Sequence, residues 1–102
     1  MPLLVPITAL KRIPPGPPLV VPDDMTKMEM RDAHWSTVQG RFRFCIDDAG
    51  RVTIVDVVQS TRLLAYDRKI IGWLKAAVYE PYRDDVGTAP VCSFITFRYS
   101  QR

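Results

Sequence analysis

The chain has 102 residues, 47% hydrophobic and 25% charged, the composition of one globular domain with a modest core rather than of a disordered segment. Its formal charge of +3 is spread, Lys and Arg being scattered among Asp and Glu, so no basic block marks a nucleic-acid footprint and nucleic acid is not an expected partner. No run approaches the roughly 18 apolar residues of a membrane helix, and two cysteines with one histidine are too few for a four-ligand zinc site, so neither a metal nor a cofactor is expected.

Pro2, Pro6, Pro14, Pro15, Pro17, Pro18 and Pro22 crowd the first 22 residues. Residues 1–22 therefore read as the end of a proline-rich linker, with 11–22 extended and semi-rigid, and the domain proper as residues 23–102. The opening MPLLVPITAL has neither a charged n-region nor an unbroken apolar core, so an exported parent would carry its signal or anchor further upstream.

Pro22, Asp23 and Asp24 form a helix start, with carboxylates where the N-terminal amides favour them, and a short helix runs to about Asp32. His34 and Trp35 mark a helix-to-strand junction and carry no chemistry. From Thr37 to Asp47 the period becomes two. Phe42, Phe44 and Ile46 point one way, while Arg41, Arg43, Cys45 and Asp47 point the other. The turn DDAGR, with Gly50 available for positive φ, leads into the β-branched run VTIVDVV and closes an antiparallel hairpin. Alternation slips by one residue between Val52 and the Val55, Val57 pair, which calls for a bulge or for burial of both faces.

Tyr66, Ile70, Trp73, Leu74, Ala77 and Val78 recur at helical spacing opposite Arg68, Lys69 and Lys75, an amphipathic helix of about 13 residues with Asp67 in its first turn and Pro81 as its stop. A last strand, VCSFITFRY, sets Val91, Ser93, Ile95, Phe97 and Tyr99 against Cys92, Phe94, Thr96 and Arg98.

The order α-β-β-α-β makes a two-layer α+β sandwich: a three-stranded mixed sheet, strands in the order two, one, three, with the helices on one face. In that arrangement Cys45 and Cys92 lie on adjacent antiparallel strands, both on the face opposite the phenylalanines. Pairing them sets Arg43 opposite Phe94 and Phe42 opposite Ile95, which keeps polar and apolar faces apart. Two reduced thiols in a cytosolic protein and one disulfide in an exported protein are the alternatives, and this register favours the disulfide.

The segments GRFRFCIDDAGRVTIVDVVQST, AYDRKIIGWLKAAVYEPYR and GTAPVCSFITFRY resemble the C-terminal domain of TonB family proteins over about residues 20 to 100. Gly50, Arg51 and Val52 match the family's turn into its second strand, and Asp67 matches the acidic residue that opens its helix. Ser60, Thr61 and Arg62 stand where the family usually has Ser-Ser-Gly. Ala77 to Pro81 replace its closing Trp, basic, aromatic and Pro pattern, with Trp73 one turn earlier.

The resemblance implies the periplasmic domain of an energy transducer anchored in the inner membrane. Such a protein meets a separate motor complex through its N-terminal part and grips a short peptide of an outer-membrane receptor or other envelope protein. The grip would be an edge strand that accepts the peptide as an extra strand. Here that edge is the last strand, and Val91, Ser93, Phe94, Ile95, Thr96, Phe97, Arg98 and Tyr99 are the candidate partner-binding residues. An unpaired edge also invites homodimerisation. The other reading is an adaptor in another trans-envelope machine, such as a motility apparatus. No enzymatic role is expected, since Asp47 and Asp48, like Asp84 and Asp85, are adjacent in turns that point them apart, and nothing brings a base to Cys45.

Overall fold

The computed structural model describes residues 3–16 and 20–101, so Pro2, Pro17 and Pro18 of the proline-rich start lie outside the described residues. In chain order it contains strand β1 (Leu3–Leu4), a 3-10 turn (Ile7–Ala9), β2 (Arg12–Ile13), helix α1 (Asp24–Asp32), β3 (Thr37–Ile46), β4 (Val52–Gln59), helix α2 (Leu64–Ala76), β5 (Val78–Tyr79) and β6 (Val91–Ser100). The fold is α+β. Its three long strands lie in the order β4-β3-β6, but the sheet has a fourth strand, β1, paired parallel to β6, and β2 with β5 forms a separate two-stranded ribbon. The expected three-stranded sheet is therefore too small. Apolar Leu3, Leu4 and Val5 precede Pro6 and reach the sheet before that proline breaks the strand.

The β3–β6 register sets Cys45 opposite Cys92, Arg43 opposite Phe94 and Phe42 opposite Ile95. Cys45 and Cys92 form a disulfide. β4 answers the broken alternation with register shifts opposite Cys45/Ile46 and Arg41/Phe42. These bulges leave Thr53 and Val58 without partners and return Val55 and Val57 to the pairs with Phe44 and Phe42.

The inner face of the sheet carries Phe42, Phe44, Ile46, Val91, Ile95 and Phe97, and against it pack Met30 of α1 and Tyr66, Ile70 and Leu74 of α2. Phe42 meets Phe97 edge-on, with ring centroids 5.9 Å apart, and Trp73 meets Phe97 the same way at 5.8 Å. Phe42 and Phe97 are buried, and truncating either ring to Ala costs about 3 to 5 kcal/mol; Trp73 is half-buried.

α1 begins where Asp23 caps it, its carboxylate accepting from the Thr26 N–H at 2.8 Å. It ends at Asp32 and, past the Ala33 cap, His34 (φ 60) closes it: the His34 N–H donates to the Arg31 carbonyl and the Trp35 N–H to the Met30 carbonyl at 2.7 Å, a Schellman closure on a residue other than glycine. α2 stops at Ala76, short of Pro81. Ala77 is already extended, and Val78–Tyr79 pairs with Arg12–Ile13 while the Tyr79 ring stacks on Phe44 at 5.2 Å. Val78 is thus a strand residue instead of the helix residue its spacing predicts. Gly50 (φ 86) makes this packing feasible, because a Cβ there would lie 1.9 Å from the Tyr79 carbonyl oxygen.

The described part of the proline-rich start folds back onto the domain. Val5, Leu10 and Val20 are buried in the same cluster as the sheet and helices. Hydrogen bonds tie this arm down along its length: the Val5 N–H donates to the Cys92 carbonyl at 2.9 Å, the Ser93 hydroxyl to the Val5 carbonyl at 2.7 Å, the Glu80 N–H to the Lys11 carbonyl at 2.7 Å and the Tyr66 hydroxyl to the Val20 carbonyl at 2.8 Å.

Candidate functional site

A strand offers hydrogen bonds on two sides, and the Val5–Cys92 bond fixes which groups of β6 face away from β3. The Cys92 carbonyl points to β1, and alternation turns the N–H and C=O groups of Phe94, Thr96 and Arg98 to the same side. The Cα atoms of Cys45 and Cys92 stand 3.9 Å apart, the close spacing of a pair that does not exchange backbone bonds, which agrees with this assignment. β1 occupies that side only at Val91 and Cys92. Among the described residues no strand pairs with it from Phe94 onward.

This bare stretch runs beside a groove of about 930 Å³. One wall is Phe94, Ile95 and Thr96 of β6; the other is the arm around Leu10 to Ile13; Trp73 and Tyr79 also line it. Two guanidinium groups lie on its aromatic rings, Arg12 at 4.9 Å from the centre of Trp73 and Arg41 at 4.5 Å from that of Phe94. Three cations, Lys11, Arg12 and Arg41, face one carboxylate, Glu80, in the lining. Burial pushes the Tyr79 phenol above its ordinary pKa, so it stays a neutral hydroxyl at physiological pH.

The eight predicted strand residues divide by face. Val91, Ser93, Ile95 and Phe97 are buried on the inner face and Tyr99 is half-buried there, whereas Phe94 is half-buried and Thr96 and Arg98 are exposed on the outer face. The inner-face residues bond β3, so Phe94, Thr96 and Arg98 are the ones whose backbone an added strand would meet. Arg41 stands at the groove, while Arg43 is 3.7 Å from Asp56 of β4. Trp73, Tyr79, Leu10 and Arg12 are site residues that the sequence reading left out. Val5 and Leu10, apolar residues set between prolines and buried in the core, are the signal for an arm that packs.

The acidic turns are structural. Asp47 Oδ1 accepts from the Ala49 and Arg51 N–H groups, both at 2.9 Å, and Asp84 Oδ1 accepts from those of Val86 and Gly87. No cluster of three metal-ligating side chains occurs among the described residues, and no helix among them is long and apolar enough to cross a membrane.

No family model matches the chain, and no curated protein matches it.

Proposed function

We propose that the domain binds an extended peptide of an envelope protein by strand addition at β6, in the manner of the C-terminal domain of a TonB-type energy transducer. The observation that carries this reading is the bare side of β6 over Phe94, Thr96 and Arg98, flanked by an aromatic groove. The parent protein would be anchored in the inner membrane, driven there by a motor complex, and this domain would transmit its force to an outer-membrane partner. Pulling along a paired strand loads its hydrogen bonds together, which suits such a task.

Local detail supports the resemblance behind this reading. Arg62 stands where the family usually has glycine, and its φ of 69 is the left-handed conformation that glycine favours. Asp67 opens α2 and accepts from Ser60 and Thr61, which makes the turn a unit with the helix. A disulfide suits an oxidising compartment such as the periplasm. An adaptor in another trans-envelope machine would use the same grip and differ in the partner and in the upstream domains.

The test is an NMR titration of the labelled domain with receptor box peptides, paired with Thr96→Pro. Proline at an outward-facing edge position leaves the β3 ladder intact and removes a donor from the free side. Saturable shifts at Phe94, Thr96 and Arg98 are expected, and those at Phe94 and Arg98 should vanish in a folded Thr96→Pro, which has no amide at position 96. Absence of shifts at millimolar peptide, about the weak limit of useful affinity, would remove the transducer reading.

A further inference from the structure

The groove beside β6 is closed at one end. β1 pairs with Val91 and Cys92, the Val5 N–H already takes the Cys92 carbonyl, and Pro6 and the 3-10 turn Ile7–Ala9 follow beside β6, so a strand added on the bare edge stops at Phe94. Because β6 runs away from this stop, a chain lying antiparallel to it arrives there with its C-terminus, and a parallel chain begins there with its N-terminus.

Charge separates the two directions. Arg41 lines both the groove and the smaller hollow formed by Leu4, Val5, Ile7 and Phe94 at the stop, and Lys11 and Arg12 line the arm's wall. Against Glu80, the one carboxylate among the groove's lining residues, these three cations leave a net positive charge that repels an N-terminal ammonium and attracts a terminal carboxylate, which a guanidinium can hold through two parallel N–H···O bonds. Beside them lies an apolar wall of Leu10, Ile13, Trp73 and Ile95, suited to the last side chain of such a chain.

The geometry points to a specific occupant: the free C-terminus of a partner polypeptide, bound antiparallel to β6, with its carboxylate at Arg41 and its final apolar side chain against Trp73. This inference rests on strand addition at β6 and adds the polarity, the end and the anchor of the bound chain. From Phe94 to Ser100 the edge accommodates a segment of about seven residues, each adding about 3.3 Å.

The experiment uses a degenerate heptapeptide library ending in Phe, Leu or Val, prepared both as free acids and as C-terminal amides. A third set extends the same peptides by five residues beyond that position. Affinities come from titration of the amide signals of Phe94, Thr96 and Arg98 in the disulfide-bonded protein, and each set is repeated with Arg41→Gln. The free acids should bind at least about tenfold tighter than the amides, a factor worth about 1.4 kcal/mol. The extended peptides should bind no better than the amides, and Arg41→Gln should erase the preference while the variant stays folded, losing no more stability than its stack on Phe94 supplies. Equal binding of acids and amides at those signals, or a preference that survives Arg41→Gln, overturns the C-terminal anchor while strand addition stands. If no set moves those signals, both fall.

Discussion

Asp67 reaches back from the first turn of α2 to hold Thr61: its Oδ1 accepts from the Thr61 N–H at 2.9 Å and from the Thr61 hydroxyl at 2.6 Å. Its Oδ2 accepts from the Ser60 hydroxyl, and Thr61 and Asp67 are both buried. The turn after β4 is thus set by a side chain six residues later. Asp67→Ala leaves the buried Thr61 N–H without a partner and its hydroxyl with only the 3.2 Å contact to the Leu63 carbonyl, and should cost about 1 to 3 kcal/mol. Urea unfolding would measure it, and a loss below about 1 kcal/mol would mean that the turn holds itself.

The disulfide joins the two central strands across 47 residues. On the chain-entropy account it stabilises by about 3 to 4 kcal/mol, so Cys45→Ser with Cys92→Ser should lower the denaturation midpoint accordingly. Intact mass without reductant should fall short of the reduced mass by two hydrogens. A mass matching two thiols would remove the bridge.

His34 (φ 60) and Arg62 (φ 69) share the left-handed conformation and differ in surroundings. His34 is exposed at the end of α1, whereas the Arg62 guanidinium lies 4.5 Å from the centre of the Trp35 ring. His34→Gly should stabilise by about 1 kcal/mol. Arg62→Gly should gain a similar amount and lose about 0.5 to 1 kcal/mol with the stack, leaving little net change. Thermal melts of the two variants side by side test the contrast.

The sequence made the core sheet legible because three signals coincide there. Alternation in β3 and β6 gives the faces, the cysteine pair fixes the register, and the slip in β4 marks its bulges. The arm was not legible for a physical reason. Proline density shows where a chain cannot continue a helix or strand, yet Val5 and Leu10 between prolines are still free to be buried. The end of α2 was misplaced on related grounds. Val78 keeps helical spacing, but pairing with Ile13 and the stack of Tyr79 on Phe44 outweigh it. Of the candidate site, the strand was readable, whereas the groove depends on the arm and was not.

Burial pushes the Tyr66 and Tyr79 phenols above their ordinary value of 10.0. Their contribution is fully present below pH 10. Above it the unfolded chain loses these protons more readily than the folded one, so stability declines as pH rises toward the folded values. Hydrogen bonds from Thr26 hold the Asp23 carboxyl below its usual 3.8, so its contribution is present above that value and lost as pH falls through the folded one. Tyr79→Phe should flatten the alkaline limb of a pH–stability curve and leave the acid limb as it is. Identical alkaline limbs for the variant and the parent would contradict this.

The central claim, that β6 offers one free side from Phe94 to Arg98, is tested most directly by residue-resolved amide hydrogen exchange with and without peptide. Phe94, Thr96 and Arg98 should exchange quickly in the free domain and slow on binding, with Ser93, Ile95 and Phe97 protected throughout by β3. Uniform protection of all six in the free domain, or fast exchange of the first three under saturating peptide, would contradict it.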